Sequence, residues 1–403
     1  MKTKNQQPNK KITSKIANNI WKLKIYYIFN SLAFFLPIIV LFWQDNGLNM
    51  TQIMLLQSIY AITIVIIEVP TGYFADIYGR NKTLTIAAVF TFIGMLIYSI
   101  GFNFFHFLIA EIIWGIGCSL LSGTDSALLY DTLKDLKKES QYKKIMGNAM
   151  FYRMLSMGFA NVVGGFIGAI NFRWTFYALL PFLFILIPIT TSIQEPSRHK
   201  LIIKKGYTQE LFKIVKQSLV DNYKLRWLMI YSGIIFAFNQ SVLWFYQPYM
   251  SLSGIDVFYF GFVFASFQIV AAISSKYAHK IEERLGRKYS LVMLFVLVSV
   301  SYLLMSNFVY LFSFSFAFIQ QFIRSFRRVI ISDYVNQEIK SNIRATVLSV
   351  ENLVGKVIYA IIAPIMGWIA DVYSLLQALT VLGITVFVIG GIFIIVLYKN
   401  KVL

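Results

Sequence analysis

The 403 residues hold 58% apolar side chains, 17% aromatic ones and only 14% charged ones, where a soluble globular chain carries about a quarter charged. That balance leaves too little polar surface to coat globules in water, and fits an exterior that faces hydrocarbon. The formal charge of +19 falls in short stretches between long apolar runs, the pattern of membrane topology rather than of a nucleic-acid-binding face, so no nucleic-acid partner is expected.

Lys2, Lys4, Lys10, Lys11, Lys15, Lys22 and Lys24 precede the first apolar run, 25–43. The run is longer than a signal-peptide core and has no small-residue cleavage site behind it, so it reads as a retained helix. A spanning helix needs roughly 20 predominantly apolar residues. Such runs follow at 52–74, 83–101, 104–130, 147–170 and 174–193, then at 226–250, 256–277, 289–306, 308–331, 345–370 and 373–398. The expected fold is an all-α membrane protein of twelve transmembrane helices in two six-helix bundles, 25–193 and 226–398. A tail (1–24), a linker (194–225) and a short end (399–403) lie outside the bundles.

Basic residues concentrate in the tail and around 75–82, 131–146, 194–225, 276–288, 332–344 and 399–403. The positive-inside rule places these stretches, and both termini, in the cytoplasm. On this reading Arg173 and Lys356 are the exceptions, and the opposite loops carry Asp45, Asp256 and Asp371. The linker, with Lys200, Lys204, Lys205, Lys213 and Lys216 and with Leu211, Val215 and Leu219 at helical spacing, reads as a surface helix or an amphipathic connector. Cys118 is the only cysteine and His106, His199 and His279 are far apart, so neither a disulfide nor a metal site is expected.

The two halves echo each other. After the second run the chain reads Gly72-Tyr-Phe-Ala-Asp76-Ile-Tyr-Gly79-Arg80-Asn-Lys82; after the eighth it reads Glu283-Arg-Leu-Gly286-Arg287-Lys288. Internal repeats of this kind build many secondary transporters, with the binding site near midplane between the halves. Residues 72–82 resemble the loop signature of the major facilitator superfamily, G-x-x-x-D-x-x-G-R-x-[KR], at Gly72, Asp76, Gly79, Arg80 and Lys82. Gly79 permits a tight turn between helices, Asp76 suits the positive end of a neighbouring helix, and Arg80 suits an acid. The resemblance implies that the acid is Asp131, ending the fourth helix, and that the set latches the two halves together when the protein is outward-open.

Two departures bear on the drug–proton antiporters of that family. Their fourth-helix pattern R-x-x-[QW]-G-x-G meets Glu111-Ile-Ile-Trp114-Gly115-Ile-Gly117, an acid in place of the Arg. Their fifth-helix G-P-x-x-G-G meets Gly158 and then Gly164-Gly165-Phe-Ile-Gly168, with no proline. The small residues still allow close helix contact.

Charged groups inside the bilayer cost at least about 2.5–3.5 kcal/mol each, so each needs a reason. Glu111 and Asp125 in the fourth helix are the proton-coupling candidates, since dry surroundings favour a protonated carboxyl. Arg153 in the fifth helix and Lys356 in the eleventh, 203 positions apart, read as equivalent places in the repeat and as a positive floor for an anionic or hydrogen-bonding solute. The alternative is a static ion pair such as Asp125 with Arg153. Asn30, Gln240, Tyr246, Gln268, Gln320 and Asn352 are further substrate-facing candidates, or interhelical hydrogen bonds of about 1 kcal/mol each. Trp114 and Trp244 read as lipid-facing or interfacial.

No G-x-S-x-G, Walker lysine loop or H-E-x-x-H is present, and no loop is long enough for a soluble domain, which argues against an enzyme, a sensor or an ATP-driven pump. The expectation is a multi-pass carrier of the bacterial cytoplasmic membrane, working as a monomer without a cofactor and driven by the proton gradient. It exports a drug or metabolite by antiport; the alternative is uptake of a nutrient or organic anion.

Overall fold

The structure, a computed structural model, describes residues 10–197, 216, 220–339, 344–400 and 402–403. Among them the regular structure is helical, with no strand. Short helices α1 (Lys10–Ala17) and α2 (Asn19–Phe29) lead to α3 (Ile39–Asp45), α4 (Met50–Tyr78), α5 (Arg80–Ile100), α6 (Phe104–Leu121), α7 (Thr124–Asp135), α8 (Tyr142–Ile170) and α9 (Trp174–Thr191). After the linker come α10 (Tyr223–Ser241), α11 (Tyr246–Leu252), α12 (Val257–Asn307), α13 (Ala317–Gln337), α14 (Arg344–Val372) and α15 (Leu375–Lys399). The surface helix expected near Leu211 lies outside the described residues.

Nine helical stretches among the described residues are long and apolar enough to cross a membrane. The longest, α12, is two helices joined at Gly286, where the backbone leaves helical geometry. Several expected spans depart from a simple apolar helix, among them the fourth, broken at Ser122–Gly123, the seventh, broken between Ser241 and Tyr246, the first and the tenth. The first, expected as one run over 25–43, is broken at residues 30–38. Pro37 cannot donate to a helical ladder, and side chains from elsewhere satisfy the freed groups: Ser156 Oγ donates to the Ile28 carbonyl (2.7 Å) and Gln247 Nε2 to the Leu36 carbonyl (2.9 Å). The tenth, α13, holds Arg324, Arg327 and Arg328 inside the helix, so Arg173 and Lys356 are not the only basic residues away from the loops.

The helices before residue 197 meet those after 220 along two seams, α4 against α14 and α8 against α12. Both seams close tightly on the side away from the chain termini, called distal below. Asp371 at the end of α14 accepts from the Met50 and Thr51 amides (2.9 and 2.7 Å), capping α4 beside its own Asn49–Gln52 capping box. Gln247 of α11 accepts from the Val40 amide (2.7 Å), and Trp43 and Trp244 lie 5.7 Å apart across the same junction. On the termini side, by contrast, residues 151–155 of α8 are exposed all round the helix.

Gly164 of α8 shows how close the distal contact is: a Cβ there would sit 1.9 Å from the Phe34 carbonyl oxygen in the broken first span. Packing without the hydrophobic effect depends on such close approach. Gly164→Val should therefore destabilise this form by about 1–3 kcal/mol, the usual cost of overpacking, read as a lower melting midpoint of the purified protein. An unchanged midpoint would show that the contact is not a determinant.

Candidate functional site

The site begins at the turn between α4 and α5. Gly79 has φ +111° and Gly286, at the corresponding turn, φ +71°, a region where side chains are strained. Arg80 Nη1 meets Asp131 Oδ2 and donates to the Ala127 carbonyl (2.5 Å). In the second half Arg287 faces Glu338 at 3.6 Å. Gly79 and Gly286, Arg80 and Arg287, Asp131 and Glu338 are each 207 positions apart, so the repeat extends to the ion pair. Gly72 and Asp76 belong to α4, but the Asp76 side chain lies outside the described residues; Lys82 is exposed.

The start of α5 is capped by Glu195, which accepts from the Arg80 and Asn81 amides (3.0 and 2.8 Å). A carboxylate at a helix N-terminus satisfies donors that have no helical partner and complements the dipole. Glu195→Ala should cost about 0.5–2 kcal/mol, the range for losing an N-cap, with Glu195→Gln intermediate, both read as melting midpoints. Equal midpoints for wild type and Glu195→Ala would remove the cap from the account.

Glu111 is fully buried on α6. Its Oε1 accepts from Gln57 Nε2 on α4 and Tyr98 Oη on α5, both at 2.6 Å, while its Oε2 has no partner. Tyr98 stacks on Phe107 and Phe176 (5.4 and 5.3 Å) and packs near Trp43 (6.3 Å). Trp244 is buried rather than lipid-facing, and donates to Tyr359 Oη of α14 at 2.7 Å. A line of aromatic groups thus runs from Glu111 to the distal junction and into the second half. Trp114 is half-buried, packed on Tyr60 and Phe35.

Asp125 opens α7, half-buried, and accepts from the Ser126 amide (2.7 Å). Among the described residues it makes no ion pair with Arg153, which is exposed on α8. Helices α8 and α14 are both 29 residues long and start 202 positions apart, which brings Arg153 within one position of the Lys356 equivalent. Lys356 pairs with Glu68 of α4 at 3.2 Å.

The uncharged candidates divide. Gln320 is spent within the second half, on Asn239 (2.7 Å) and the Val298 carbonyl (3.1 Å). Tyr246 is buried against Gln321 (3.3 Å), and Asn352 is exposed and bonded to its own helix at Leu348 (3.0 Å). Asn30, Gln240 and Gln268 are half-buried and bond to no described side chain. Sequence reasoning missed Glu68, Glu195 and Gln247. It also missed a buried cluster in which Arg327 meets Glu351 (2.9 Å) and Ser232 (2.7 Å), although three arginines within five residues were in plain view. Arg173 is an organiser of distal loops: it donates to the Ser99 and Gly101 carbonyls and to Asn46 (2.9, 2.8 and 2.8 Å).

A helical membrane protein of two repeated halves, meeting at seams lined by buried charges, defines the class of a secondary transporter. The sequence profile of the Major Facilitator Superfamily matches residues 25–355, and the chain belongs to that family of transporters, which are not enzymes. It is 24% identical over 277 residues to the uncharacterized MFS-type transporter YxaM of Bacillus subtilis, covering 65% of this chain and 68% of the relative. It is 22% identical over 218 residues to the quinolone resistance protein NorA of Staphylococcus aureus, about half of each chain (52% and 51%). Its fold is similar to that of the nucleoside transporter NupG (TM-score 0.79, 13% identity, 95% of this chain and 99% of the other). It is also similar to that of a bacterial homolog of the human lysosomal transporter Spinster in its inward-facing form (0.72, 14%, 95% and 97%).

Proposed function

We propose that the chain exports a drug-like solute or metabolite across a bacterial cytoplasmic membrane in exchange for protons, as a monomer without a cofactor. The bundles are 25–193 and 226–398, with the linker 194–225 and both termini in the cytoplasm. The orientation rests on the basic stretches flanking the termini side; on it, the present form is closed outside and open inside, ready to receive a cytoplasmic solute.

The observation that carries proton coupling is Glu111: a carboxyl with no exposed surface and one unpartnered oxygen. An ionised acid in that position is costly, so its charge state is tied to how the halves surround it. NorA, by its name a quinolone resistance protein, supports export. A second reading, uptake of an organic anion, is favoured by Arg153, Arg324 and Lys356, three basic side chains within helices.

The test uses everted membrane vesicles with and without the protein, energised and followed with a pH-sensitive dye while lipophilic cations, antibiotics and organic anions are added in turn. Protein-dependent proton release on addition of a compound is the expected result. No response across the panel, together with gradient-driven accumulation of a labelled anion in right-side-out vesicles, would replace export by uptake.

A further inference from the structure

Among the buried and half-buried carboxylates, Glu111, Glu351 and Glu68 differ in one respect. Glu111 is closed in by Gln57 and Tyr98 within the first half. Glu351 is closed in by Arg327 and Ser232 within the second, each ion-pair side chain at 9% exposure. Glu68 and Lys356 are joined across the seam, by a single contact of 3.2 Å, and their side chains keep 20% and 23% of their surface exposed. Of the ion pairs between described residues, this one alone links the helices before residue 197 to those after 220.

Most of the pair's hydrogen-bonding capacity is unused. Lys356 Nζ has three donors and spends one; Glu68 Oε1 accepts none, and neither charged group has another partner among the described residues. Exposed charge at this depth must face a water-filled cleft, because hydrocarbon cannot solvate it. Glu68 lies 18 positions beyond Met50 in the 29-residue α4, in its termini-side half, and α8 is exposed all round on that side. The pair can therefore be reached from that side.

A solute entering here must separate the two charges, and charge balance decides which solute can do so. An anion would hold Lys356 and leave Glu68 alone; a cation would hold Glu68 and leave Lys356 alone. Either leaves an uncompensated charge in the membrane interior, the costly outcome of breaking a sequestered ion pair. A zwitterion replaces both halves of the contact at once. We infer that Glu68 and Lys356 form a binding site for a zwitterionic solute, its ammonium on Glu68 and its carboxylate on Lys356. This assigns a substrate class to the transport reading and rests on it, and no covalent bond changes.

The test is binding by the purified full-length protein, read as the concentration of compound that protects it from thermal unfolding. Two scaffolds are used, phenylalanine and 4-(aminomethyl)benzoic acid, each as the zwitterion, the methyl ester (cation) and the N-acetyl derivative (anion). For at least one scaffold the zwitterion should protect wild type at tenfold lower concentration than either relative. Glu68→Gln should shift the preference to the N-acetyl anion and Lys356→Met to the ester. The swap Glu68→Lys with Lys356→Glu should return it to the zwitterion. Glu68→Asp and Lys356→Arg keep both charges and should keep the ranking, which guards against variants that fail to fold. An unchanged ranking in both charge-removing variants, or no protection by either zwitterion, would overturn the assignment. Binding needs no gradient, so a ranking that follows the variants while no compound moves protons would refute the coupling and leave the site standing.

Discussion

Glu111→Gln should abolish solute-driven proton release in everted vesicles, by at least about 100-fold, the scale expected when a positioned proton-transfer group is lost, while protein level and melting midpoint stay near wild type. The amide oxygen can still accept from Gln57 and Tyr98 at the positions Oε1 holds now, so the local structure is preserved. What is lost is the ability to carry a proton. The new NH2 replaces Oε2, which already lacks a partner, and leaving such a group unsatisfied costs about 1–3 kcal/mol at most. Tyr98→Phe should weaken coupling less, since Gln57 still fixes the carboxyl. Undiminished proton release by Glu111→Gln would make the buried acid a structural brace and turn the question to Asp125→Asn, whose carboxyl is half-buried at the start of α7.

The largest stability effect is expected in the second half. Arg327→Met leaves Glu351 and Ser232 facing each other with no cation, in a position where Glu351 is 7% exposed. Removing one member of a buried ion pair typically costs about 3–5 kcal/mol, because the other charge stays buried. Replacing both, as Arg327→Met with Glu351→Leu, should recover most of the loss, since the desolvation cost disappears with the charges. Chemical or thermal unfolding of the detergent-solubilised protein separates the cases. A single variant shifted by less than about 1 kcal/mol, the value of an exposed pair, would mean that water reaches the cluster and that it does not brace α10, α13 and α14.

The class of protein, the positions of most helices and the turn at Gly79 were legible from local pattern alone. Apolar runs of spanning length need no partner to be recognised, because each satisfies its own backbone. The repeat was visible at Glu283 to Lys288, and its consequence, an acid for Arg287, could be sought one repeat beyond Asp131 at Glu338. The break in the first span was less legible. Pro37 lies in it, yet Pro181, Pro188 and Pro364 sit inside unbroken helices, so proline by itself does not decide; the outcome depends on side chains such as Ser156 and Gln247 that take up the freed backbone groups.

The sequence by itself determined that this chain crosses a membrane many times in two related halves and that it carries the family's turn. It also put Glu111, Asp125, Arg153 and Lys356 at depths where charge needs a reason. Beyond Arg80 with Asp131, only the tertiary structure decided which charges meet. Lys356 finds Glu68 from 288 positions away, Arg327 finds Glu351, and Asp125 makes no ion pair with Arg153. Hydropathy is a property of each segment and can be summed along the chain. An ion pair depends on two side chains arriving within a few ångströms of each other, which is fixed by how α4 lies on α14 and α13 beside α10, and no spacing in the sequence encodes that distance.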